Sequence, residues 1–119
     1  MLCLGVEEAP LLRFRLCSTM CETVLQLIGE ADVSVEGQLR ERLGAALEHR
    51  APSLRVDTSA LLFMDCSTLR CFIEAAMRAR ELDISFTLCR VRPMGRRLVQ
   101  LCDLEDLLMP DGQQPAVRG

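Results

Sequence analysis

Apolar residues recur along this chain at two spacings, every second residue in some stretches and every third or fourth in others. The switching between these periods limits the fold more than any other feature. Leu12, Phe14 and Leu16 alternate with Arg13 and Arg15, the pattern of a half-buried strand. Thr23 to Ile28 reads as a second strand, and the polar stretch Cys17–Glu22 between them forms a hairpin turn. Gly29-Glu30-Ala31-Asp32 then ends the strand. Val35, Leu39, Leu43, Ala46 and Leu47 fall on one face of a helix that Ser34 can cap and that runs to about His49. Arg40, Glu41 and Glu48 point away from that face, and Ala51-Pro52 stops the helix.

The same alternation repeats downstream. Leu54 to Thr58 is a third strand, and Leu61 to Met64 delivers the chain to Asp65. Asp65 is a natural N-cap for a second helix, from about Cys66 to Glu81. Leu69, Phe72, Ile73, Ala76 and Met77 line one face of it, while Arg70, Glu74 and Arg78 form an i, i+4 ladder on the other. Ile84, Phe86 and Leu88 make a fourth strand, and Pro93 opens a short helix with Leu98 and Leu101 inward and Arg96 and Arg97 outward. This order predicts an α/β domain over residues 11–109. Its sheet is mixed, with four to five strands (an N-terminal hairpin, then parallel strands) and three to four helices packed against it. Residues 1–10 show no clear periodicity and are expected to be a flexible lead-in; residues 110–119 are expected to be a disordered tail.

Composition narrows the function. The chain has 119 residues, half of them apolar, which suits one core. No apolar run approaches the roughly 20 residues that span a bilayer. Glu7 and Glu8 replace the basic start of a secretory signal, so a cytoplasmic protein without a membrane segment is expected. A net charge of −3 gives no general attraction to nucleic acid. All fourteen basic residues are arginine, which excludes a P-loop and lysine Schiff-base chemistry. The seven cysteines include no C-x-x-C pair and the only histidine is His49, so neither a metal nor a cofactor is expected. Most of these thiols read as small core hydrophobes.

Residues 54–108 resemble STAS domains, the fold shared by sulfate transporters and anti-sigma-factor antagonists. The stretch Val56-Asp57-Thr58-Ser59-Ala60-Leu61-Leu62-Phe63-Met64-Asp65-Cys66-Ser67-Thr68-Leu69 is similar to the family's strand, short connection and Phe-(Met/Ile)-Asp-Ser-Ser-Gly-Leu helix start. Gly29-Glu30-Ala31-Asp32 looks like its Gly-Glu-x-Asp turn. Arg96-Arg97-Leu98-Val99 and the closing Leu104-Glu105-Asp106-Leu107-Leu108 also fit, extending the likeness over about residues 11 to 109. The resemblance implies a non-catalytic anti-sigma factor antagonist, which binds a serine-kinase-like anti-sigma factor, releases a sigma factor and so regulates transcription. Another reading is a scaffold or sensor subunit of a signalling assembly. A regulatory piece of an anion transporter is a third, weakened by the missing membrane segment.

Two residues depart from the pattern: the family's phosphoacceptor serine falls on Cys66 and its following glycine on Thr68. The hydroxyls of Ser67 and Thr68 stay beside that position and become the phosphorylation candidates. A phosphate there would meet the unsatisfied N–H groups of a helix start and the repulsion of Asp65. Cys66 is also a candidate redox switch. Cys102 is its better resolving partner, because Cys71 lies five residues along the helix, off its face. The expected partner surface comprises Asp32, Asp65, Cys66, Ser67, Thr68 and Arg70. Glu30 and Asp32 read as turn chemistry and the rim of that surface, since no nucleophile and base accompany them. Arg90, Arg92, Arg96 and Arg97 read either as a solvated face or as a dock for an acidic partner.

Overall fold

The computed structural model describes residues 12–108, so the lead-in and tail expectations lie outside the described residues. Four strands make one sheet: β1 (Leu12–Ser18), β2 (Thr23–Ala31), β3 (Ser53–Met64) and β4 (Ser85–Cys89), in that spatial order. β1 and β2 form the expected antiparallel hairpin, and β3 and β4 add in parallel. The parallel connections carry α1 (Glu36–Leu47) and α2 (Cys66–Glu81); α3 (Pro93–Leu101) follows β4. A fifth strand is reduced to a single parallel bridge between Leu88 and Leu108, just past a 3-10 turn at Glu105–Leu107.

Alternation builds the core. Thr23, Leu25 and Leu27 of β2, Leu54 and Val56 of β3 and Leu88 of β4 are buried. They join Leu39 and Leu43 of α1, Phe72 of α2 and Val99 of α3 in one buried layer. At about 25 cal/mol per Å² of apolar surface, burial of these side chains is the main force holding helices to sheet.

Several elements differ from expectation for identifiable reasons. β2 continues past Ile28 because Gly29, at φ 120°, and two register shifts against β3 keep it paired as far as Ala31 opposite Met64. The same pairing makes β3 one strand of twelve residues where sequence suggested two pieces. Asp32, not Ser34, is the cap after β2: its carboxylate accepts from the Ser34 N–H, and a 3-10 turn at Val33–Val35 precedes α1. α1 stops at Leu47, with Arg50 taking up the left-handed turn at φ 56°. On α2 the buried stripe runs through Thr68, Leu69, Phe72, Ala75 and Ala79, which leaves Met77 63% exposed. Leu101, expected inward, is also exposed. The α2 charge ladder gives way to ties between helices. Glu74 bonds Arg40 of α1 at 2.6 Å, Arg70 reaches Glu36 at 3.4 Å, and Arg78 turns to Glu81.

Candidate protein-binding site

β2 and β3 end level with each other, and each hands the chain to the same tripeptide pattern, Asp32-Val33-Ser34 and Asp65-Cys66-Ser67. The two aspartates have nearly the same backbone, φ −124° and ψ −172° against φ −125° and ψ −171°. In each, an aspartate must be extended for its carboxylate to reach the orphan N–H groups of the turn ahead. The middle residue of each pattern, Val33 in one and Cys66 in the other, directly follows the capping aspartate. Both are exposed, Val33 by 66% and Cys66 as a free thiol.

The second turn is the more heavily built. Asp65 Oδ1 accepts from the Ser67 and Thr68 N–H groups at 3.0 and 3.1 Å, and from the Ser67 hydroxyl at 2.6 Å. The Thr68 hydroxyl, also 3.3 Å from Asp65, donates its one hydrogen over the shorter 2.9 Å to the carbonyl of Ala31, at the end of β2. Thr68 thus fastens the start of α2 to the strand before the other turn. Burial would raise the Asp65 pKa, but the bonds from Ser67 and Thr68 outweigh it and hold the carboxyl below its ordinary value.

Asp32, Asp65, Cys66, Ser67 and Thr68 are therefore brought together. Their accessibility differs: Ser67 is 8% exposed and Thr68 only 1%, so the two hydroxyls face inward while Cys66 faces out. Arg70 stands one turn along α2, exposed and bonded to Glu36. Cys102 is the C-cap of α3 and an exposed free thiol. The arginine run is divided. Arg90 lies 3.8 Å from Asp57, Arg92 donates to the Ser59 carbonyl at 3.2 Å, and Arg97 is exposed. Among the described residues, no three His, Cys, Asp or Glu side chains converge as metal ligands, and no helix is long and apolar enough to cross a membrane.

Sequence reasoning missed Val33, and it missed Leu62, Phe63 and Met94, large apolar side chains left exposed on this side of the sheet. The recurring Asp-x-Ser at the ends of two strands was the signal that could have found Val33.

The family model described as "Mlab, STAS domain" matches residues 15–110. With most of its length matched and this topology, the chain belongs to the STAS-domain family. Solved structures with the same fold include an anti-sigma factor antagonist from Mycobacterium paratuberculosis. It is 21% identical, with a TM-score of 0.74 over 82% of each chain. The unphosphorylated form of the anti-sigma factor antagonist SpoIIAA is 22% identical, with a TM-score of 0.71 over 82% of this chain and 86% of that one. A STAS-domain protein from Planctomyces limnophilus is 18% identical, with a TM-score of 0.67 over 80% and 86%. Comparison with curated protein sequences finds no match.

Proposed function

We propose that this domain is an anti-sigma factor antagonist, which binds a kinase-like anti-sigma factor at the paired Asp-x-Ser edge and so frees a sigma factor. The observation that carries the reading is the level ending of β2 and β3, each followed by a capping aspartate and then an exposed residue, Val33 after one and Cys66 after the other. A small apolar and thiol centre rimmed by Asp32, Asp65 and Arg70 suits a protein surface, because apolar contact supplies affinity and charge supplies register. The similar solved structures of anti-sigma factor antagonists support the partner class.

Phosphorylation, where it occurs, falls on Ser67 in this proposal, since Thr68 is buried and tied to Ala31. The Ser67 hydroxyl must first leave Asp65, so the modification carries a conformational cost. Oxidation of exposed Cys66 is a second means of switching the same surface, by placing a polar or bulky group at its centre.

The test uses the full chain as bait in its source cell, with Asp65→Arg and, on β1, Arg13→Ala beside it. Recovery of a kinase-like protein by the parent and by Arg13→Ala, with about tenfold less by Asp65→Arg, is expected. Equal recovery by all three, from variants shown to be folded by circular dichroism, overturns the assigned surface.

A further inference from the structure

β4 pairs only with Ser53–Asp57, the first five residues of β3. The next seven, Thr58–Met64, continue as strand with β2 on one side and, among the described residues, no strand on the other. Past Cys89 the chain turns away at Arg90, φ 56°, and returns as α3. Between the free edge of β3 and the first turns of α3 lies a groove of about 390 Å³. Leu61 forms its base, and Leu62, Phe63, Met94 and Leu98 line its sides. Leu62 is 61% exposed, Phe63 43% and Met94 72%, large apolar surfaces with no partner among the described residues. Arg92 stands at the rim and donates to the Ser59 carbonyl on this edge.

We propose that this groove binds an extended segment of a partner protein, which pairs with the free edge of β3, inserts an apolar side chain beside Phe63 and Met94, and sets a carboxylate on Arg92. A strand edge presents a row of backbone donors and acceptors that another extended chain satisfies; a helix, its own backbone groups already paired, cannot. The cationic rim selects an acidic residue in that chain. The same rim disfavours a second copy of this domain as occupant, because its other free edge, β1, would bring Arg13 and Arg15 toward Arg92. The groove lies between β3 and α3, and its lining includes none of Asp32, Asp65, Cys66, Ser67, Thr68 and Arg70. The inference therefore names a second contact and stands whichever protein binds the Asp-x-Ser edge.

The probe is a phage-displayed library of seven-residue peptides, panned on the full chain. Selected peptides are then made synthetically, titrated by calorimetry and mapped by amide hydrogen exchange. Enriched peptides should combine alternating apolar residues with an acidic one, and should slow exchange within Leu61–Phe63. Arg92→Glu and Met94→Glu should each weaken them about tenfold or more. Both positions are exposed, so the variants should keep the parent's melting temperature; Met94→Ser replaces Met94→Glu if it does not. Failure to enrich any peptide, a footprint elsewhere, or unchanged affinity in both variants overturns the proposal. So does faster exchange at Leu61–Phe63 on removing residues 1–11 or 109–119, which would make the occupant a terminus of this chain.

Discussion

The turn after β2 and the turn after β3 begin alike and end differently. Both place an aspartate in extended backbone, accept the N–H two residues on, and accept the hydroxyl of a serine at that same position. The first then spends a 3-10 turn before α1 begins at Glu36, and its aspartate's carboxylate accepts from Ser34. The second enters α2 at once, and Asp65 takes bonds from Ser67 and Thr68 together in a part-buried setting. One residue accounts for much of the contrast. Position 68 is a threonine whose hydroxyl finds Ala31, whereas the matching position 35 is a valine, whose side chain packs into the core and has no hydrogen to donate. A shared cap motif thus becomes a simple chain reversal in one place and a rigid platform in the other.

Removing each carboxylate tests that contrast most severely. Asp65→Ala should cost about 2 kcal/mol of stability and Asp32→Ala about 1 kcal/mol or less, the upper and middle range for lost N-caps. Urea unfolding of the two variants measures both. Equal losses would mean that burial and the extra bonds at Asp65 add nothing, and the distinction between the turns would fail.

The hydroxyls separate the turns next. Thr68→Val keeps shape but leaves the Ala31 carbonyl without its side-chain donor, for an expected loss of about 1.5 kcal/mol. Ser34→Ala, at an exposed site, should change stability by about 0.5 kcal/mol at most. A loss at Thr68 no greater than at Ser34 would show that Ala31 finds another partner at no cost.

How much of this was legible in the sequence follows from the range of the interactions involved. α2 occupies the expected span, Cys66–Glu81, because its cap and its repeat of buried residues are local. The succession of strands and helices along the chain and the hairpin were legible for the same reason: turn residues and period-two alternation lie within a few residues of one another. The length of β3 was not, because its last residues are held in strand by β2, across register shifts that no local pattern records. Met77 misled because the apolar stripe on α2 is broader than the face the sheet covers. Glu74 misled because Arg40, 34 positions away in sequence, outcompetes its neighbours on α2. At the site, the residue types were readable, but their accessibility was not. That Cys66 faces out while Ser67 and Thr68 face in depends on where Ala31 lies.

The smallest expected effect concerns the charge on Asp65, as distinct from its ability to cap. Bonds from Ser67 and Thr68 hold its pKa in the folded chain below the ordinary value of 3.8, against the opposing pull of burial. A carboxyl lowered on folding binds its proton more readily in the unfolded chain, so its contribution is complete above the unfolded value. It is lost as pH falls through the folded one. Stability should therefore be flat in this respect near neutrality and decline below about pH 3.8. Other carboxylates add to the decline; Glu74, lowered by its bond to Arg40, is one. Asp65→Asn isolates the charge, because asparagine caps about as well as aspartate but does not titrate. Its unfolding free energy should lie about 1 kcal/mol below the parent's at pH 7, and the gap should close as both are acidified below pH 3.8. Asp32→Asn serves as the comparison, with a carboxylate that accepts from Ser34. A gap at Asp65 that persists unchanged into acid would assign its contribution to shape alone, and leave the two turns electrostatically equivalent.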